Sequence, residues 1–119
     1  MAATENVDAA YQRAFQLRCD GRYREAKTEL LAVLQVNPRH CDARWQMGLI
    51  QGFEGDFEGS VETLTKVSAD FPDNIHILND LAMTQMMLGY EDDAVANFER
   101  ILRVDPSHEN AKKQLAYYR

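Results

Sequence analysis

Three places in the chain bring together residue types that could do chemistry. His40, Cys41 and Asp42 are consecutive, and a cysteine that opens a helix can have a lowered pKa and act as a nucleophile. Consecutive residues leave a helix start in different directions, however, and no further group is spaced to orient them. The triplet is therefore read as packing rather than as a catalytic or metal site. Met86 and Met87 could offer thioethers to copper, but without a supporting cysteine or histidine they read as apolar surface. Glu91, Asp92 and Asp93 could offer carboxylates, yet they stand where a helix should begin, and negative charge there favours the helix macrodipole. No catalytic residue, metal ligand or cofactor is expected, so the chain is not read as an enzyme.

Composition narrows the function classes further. With 119 residues, 45% of them apolar, the chain is long enough to bury one core. Its 13 basic and 19 acidic residues give a formal charge of −6, which leaves no net attraction to nucleic-acid phosphates or anionic membrane surfaces. The two cysteines, Cys19 and Cys41, form no disulfide framework, so a reducing compartment is expected, with the cytoplasm as its default. Neither a signal-peptide core nor a membrane span is legible.

What positions the remaining residues is a period. The three prolines, Pro38, Pro72 and Pro106, stand 34 residues apart, as do Gly21, Gly55 and Gly89. Further columns repeat at that interval: Ala14, Gly48 and Ala82; Ala26, Ser60 and Ala94; Leu30, Leu64 and Phe98. The glycines fall where one amphipathic helix stops and another starts, the place for a left-handed residue. The prolines follow the second helix, which they cannot continue. The small columns face each other and let paired helices approach closely.

One domain, 1–119, is thus expected, with units at 7–40, 41–74 and 75–108. Helices are predicted to about Cys19, over Tyr23–Val36, Cys41–Glu54, Phe57–Asp70, Ile75–Leu88 and Glu91–Val104, with Thr4 or Asn6 as the first cap. Residues 109–119 add a last helix, either a cap or a fourth unit cut short. Its Ala111, Leu115 and Ala116 are expected on the preceding unit, with Lys112, Lys113 and Gln114 in solvent.

This pattern, over Val7 to His108, resembles the tetratricopeptide repeat (TPR), a 34-residue pair of antiparallel helices. The resemblance implies an all-α fold, an α-solenoid of three helix-turn-helix units plus a C-terminal capping helix, about seven helices in total. In each first helix one apolar stripe is expected on the unit's own second helix: Leu17, then Met47 and Gly48, then Leu78, Leu81 and Ala82. A second stripe falls roughly 100° or more round the helix, at the second, fifth, ninth, twelfth and thirteenth places of each unit. In the family it lines a concave peptide groove. Here it reads Asp8, Tyr11, Phe15, Arg18 and Cys19; Asp42, Trp45, Leu49, Gly52 and Phe53; His76, Asn79, Met83, Met86 and Met87.

The large side chains of that stripe are expected to stand free of their own hairpins and to await an apolar ligand. Part of Phe15, Trp45 and Leu49 should be consumed where neighbouring first helices meet. The resemblance also implies what the groove does not hold. Family members that clamp acidic chaperone tails use lysine, asparagine and arginine at places occupied here by Tyr11, Phe15, Gln46, His76 and Asp80, and Asp80 would repel a carboxylate. An apolar groove is closer to the small three-repeat bacterial secretion chaperones, which carry longer N-terminal extensions. The expected partner is a protein or peptide with apolar anchors. The alternatives are a self-assembling homo-oligomeric scaffold or the docking segment of a larger enzyme.

Overall fold

The computed structural model describes residues 6–118, and Thr4, one of the two expected caps, lies outside them. Every regular element among these residues is an α-helix. α1 (Val7–Cys19) and α2 (Tyr23–Val36), α3 (Cys41–Phe53) and α4 (Phe57–Asp70), and α5 (Ile75–Met87) and α6 (Glu91–Val104) form three successive hairpins, followed by α7 (Glu109–Tyr118). Each helix packs mainly on its neighbours in sequence, with further contacts from α1 to α3 and from α3 to α5. The result is an elongated α-solenoid of 55 × 27 × 21 Å.

The turns show why the punctuation repeats. Gly21, Gly55 and Gly89 have φ of 78°, 92° and 81°. The residue after each glycine closes the helix by donating its N–H back five residues, Arg22 to Leu17, Asp56 to Gln51 and Tyr90 to Gln85, at 2.8, 2.8 and 2.9 Å. That bond pattern needs a left-handed residue in the middle. A Cβ at any of the three would meet nothing within 4 Å, so backbone conformation alone selects glycine.

Between units the side chains cap the next helix. His40 Nδ1 accepts from the Ala43 N–H at 3.0 Å, Asn74 Oδ1 from Ile77 at 3.2 Å and His108 Nδ1 from Ala111 at 3.1 Å. Asn6 plays the same part for α1, accepting from Asp8 at 2.8 Å. Each satisfies a backbone donor that the first helical turn leaves unpaired.

Packing follows the columns. Ala14, Gly48, Ala82, Ala26, Ser60, Ala94, Leu30, Leu64 and Phe98 are all buried. Where α3 meets α4 the Ser60 hydroxyl donates to the Gly48 carbonyl at 2.8 Å, and a Cβ on Gly48 would come within 2.8 Å of Leu64 Cδ2. Two expectations need correction. Leu81 does not pack only on its own hairpin: with Ile77 it lies against Leu64 and Val67 of α4. Residues 77 and 81 form a row about 100° from the row of 78 and 82, so α5 presents one row to the preceding unit and the other to its own. Ala116, expected on the third unit with the buried Ala111 and Leu115, is exposed. It repeats the column of Ala14, Gly48 and Ala82, which lie under a second helix, and among the described residues α7 has no such mate.

Candidate functional site

The first helices α1, α3, α5 and α7 share a face, and the side chains on it meet in a repeating way. The second residue of each unit comes to the fifth residue of the unit before. The Asp42 carboxylate lies near Tyr11 and helps push its phenol pKa up, after the larger effect of burial. His76 stacks on Trp45, with ring centroids 6.2 Å apart and planes at 18°. Asn110 donates to Asn79 Oδ1 at 2.7 Å and approaches Met83 Sδ at 3.4 Å. The sixth residues add a second set of links. Gln46 Oε1 accepts from Arg18 Nε at 2.9 Å, and Asp80 Oδ2 accepts from the Trp45 indole N–H at 2.8 Å.

These links divide the stripe into a covered part and an open part. Tyr11, Trp45, Met83 and Met86 are each half-buried against the hydrophobic core, so the expectation that they stand free is corrected for these four. They have neighbours because each first helix lies beside the next one as well as against its own partner. Phe15, Phe53 and Met87 remain exposed, at 37%, 52% and 67% of their full areas, with Leu49 half-buried between them. Leu49, Gly52 and Phe53 of α3, Phe57 and Ser60 of α4, and Thr84 and Met87 of α5 line a cleft of about 190 Å³. That is small beside the roughly 300–1,000 Å³ of ordinary small-molecule sites and scaled to a side chain.

Charge is distributed unevenly along this face. Arg18 places its guanidinium over Phe15 and Phe53, 5.0 and 5.7 Å from the ring centres. Tyr23 stacks on Phe53 from α2, centroids 5.7 Å apart. Asp8 and Asp42 are exposed near the helix starts, and Asp80 is half-buried. Burial pushes the Asp80 carboxyl above the usual carboxylate range, although the Trp45 N–H, His76 and Arg18 act in the opposite direction. Cys19 and Gly52 complete the stripe without offering an apolar anchor.

The other chemical candidates dissolve into structure. His40 spends Nδ1 on its cap and lies against Tyr11, with ring centroids 5.3 Å apart and planes tilted by 33°. Burial and then the Asp42 charge raise the Cys41 thiol pKa, the opposite of what a nucleophile needs. Among the described residues no group of three His, Cys, Asp or Glu side chains could hold a metal ion. Sequence reasoning missed Phe57 and Thr84, which only the approach of neighbouring helices brings to the cleft, and Tyr23, which stacks on Phe53.

Models of the tetratricopeptide repeat match residues 42–74 and 75–108, together more than half of the chain. The chain belongs to the tetratricopeptide repeat family. This TPR chain is 30% identical over 50 residues to anaphase-promoting complex subunit 7 of Arabidopsis thaliana, covering 42% of this chain and 9% of that protein. It is 24% identical over 95 residues to superkiller complex protein 3 of Mus musculus, covering 80% and 6%, so it spans less than a tenth of either relative.

Among solved structures, the first TPR of Spaghetti (RPAP3) bound to the HSP90 peptide SRMEEVD superposes with a TM-score of 0.85 at 13% identity, covering 96% of this chain and 90% of that one. MamA from Desulfovibrio magneticus RS-1 gives 0.80 at 18%, covering 96% and 64%. YrrB, described as a TPR protein with an unusual peptide-binding site, gives 0.79 at 19%, covering 93% and 57%. At these identities the likeness is one of fold.

Proposed function

We propose that this TPR domain, taken as units 7–40, 41–74 and 75–108 with 109–119 as a cap, is a non-catalytic, cofactor-free interaction module of the cytoplasm that binds an apolar peptide or helix along the first-helix face. The observation that carries the reading is the cleft between the second and third units, where Phe53 and Met87 stay open beside Leu49 while Tyr11, Trp45, Met83 and Met86 are covered. Each large apolar side chain desolvated there would contribute roughly 1.5–3 kcal/mol, so a few anchors support micromolar binding after association costs. Solved relatives lend support, since one holds an HSP90 peptide and another is described by a peptide-binding site. Asp80 argues against an acidic tail as the ligand here. A polypeptide partner is favoured over nucleic acid by the charge of −6, and over a membrane by the lack, among the described residues, of any helix long and apolar enough to cross one.

The test is to pan a library of displayed random dodecapeptides against the chain and measure the selected peptides by titration calorimetry. Phe53→Ser combined with Met87→Ser should weaken them roughly tenfold or more with the helical circular dichroism unchanged. Equal affinity for wild type and double variant would overturn the reading. A second reading, self-association, is favoured by bare Ala116 and by Tyr117, which is 79% exposed on α7. A strictly monomeric mass by light scattering at high concentration eliminates it.

A further inference from the structure

The first-helix face is polarised along the helix axes. Its open apolar residues lie in the C-terminal halves of α1, α3 and α5, as Phe15, Phe53 and Met87, the last two at the helix ends. Its carboxylates lie nearer the N-terminal ends, as Asp42 and Asp80. Asp80 and Met87 are seven residues apart on α5, which separates them by about 10 Å along the helix. Among the described residues no lysine, arginine or histidine forms an ion pair with either carboxylate, although His76 and Arg18 lie close enough to Asp80 to favour its charged form. Asp80 accepts from the Trp45 indole at Oδ2 alone. The cation on this part of the face, Arg18, is turned to Gln46 and to the rings of Phe15 and Phe53. A half-buried carboxylate with an unused oxygen is poorly solvated, so an arriving cation gains more there than at an open surface.

We propose that the segment bound on this face is basic as well as apolar: its anchor enters the cleft of Leu49, Phe53 and Met87, and a lysine or arginine about 10 Å away lies against Asp80. In an extended segment that distance is about three residues, and in a helical one about two turns. The proposal rests on the peptide-binding reading above and adds the chemistry of the partner. It also gives Asp80 a purpose that the fold does not require, since a neutral acceptor would hold the Trp45 indole as well.

The same dodecapeptide panning tests it. Selected peptides should pair a large apolar residue with lysine or arginine at one of those spacings. In the tightest peptide, replacing the basic residue by glutamine should weaken binding about tenfold, and by glutamate more. Asp80→Asn keeps an acceptor for Trp45 and should bring the basic and glutamine peptides to within about twofold of each other. The proposal is overturned, with the groove reading intact, if peptides that depend on Phe53 and Met87 show no basic residue or bind equally well with glutamine in its place. If no selected peptide depends on Phe53 and Met87, the groove reading falls and this proposal with it.

Discussion

The second and third repeats meet the same demand on their outer side and answer it differently. The eleventh residue of each is a glutamine whose side chain runs in toward the second helix of its own unit. In the third repeat Gln85 is buried and its Oε1 accepts from Asn97 Nδ2 at 2.8 Å, while Asn97 Oδ1 in turn accepts from Arg100 at 3.1 Å. In the second repeat the places of Asn97 and Arg100 are taken by Thr63 and Lys66. There Gln51 Oε1 is buried with no hydrogen-bond partner, at a cavity of about 220 Å³ between α2, α3 and α4. The second repeat thus shares the apolar columns of the third but lacks its polar pair. The lesson is that a polar pair needs both members, and a half-kept pair is worse than none.

The comparison can be broken from the third repeat's side. Asn97→Ala should strand Gln85 as Gln51 is stranded and cost about 1–3 kcal/mol, read from the midpoint of a urea transition; an unchanged midpoint would mean the pair contributes nothing. It can be sharpened from the second repeat's side. Thr63→Asn places a donor where Gln51 Oε1 lacks one and should stabilise by about 1 kcal/mol, with Asn97→Ala in the same background still showing its full loss, because the two sites are separate.

A smaller effect comes from the sixth residue, an amide as Gln46 in the second repeat and a carboxylate as Asp80 in the third. Because burial raises the folded Asp80 pKa above its value of 3.8 in the open chain, the folded state holds the proton more tightly. Stability then rises as pH falls through the raised value toward the ordinary one, and part of it is missing at neutral pH. Asp80→Asn should flatten that slope and lift the thermal midpoint at pH 7 by about 1–3 °C. A steeper acid dependence in the variant would contradict the assignment.

The fold was legible because its signals are backbone demands. Gly21, Gly55 and Gly89 must be left-handed and Pro38, Pro72 and Pro106 must end helices, so the period stands in the sequence whatever the side chains do. Most helix ends follow, and α3 and α5 stop one residue early only because Glu54 and Leu88 serve as C-caps. The stripe on the first helices was legible as a register but not as a surface. Whether a given member is open depends on what the next unit lays over it: His76 covers Trp45 and Asn110 reaches Met83, while Phe53 and Met87, at the thirteenth place, stay exposed beside the cleft. Helical periodicity describes one helix at a time and carries no information about that overlap. The Gln85–Asn97 bond was hidden for the same reason, since two polar residues twelve apart look like solvated surface until a hairpin folds them together.

Trp45 is the chain's one tryptophan, and its indole is held by Asp80 and His76 at the joint between the second and third repeats. Its emission is therefore a spectroscopic reporter of that joint alone, whereas circular dichroism averages over all seven helices. In a stack whose units couple only to their neighbours, the two signals need not move together. Any gap between their midpoints measures directly how far the central joint outlasts the ends.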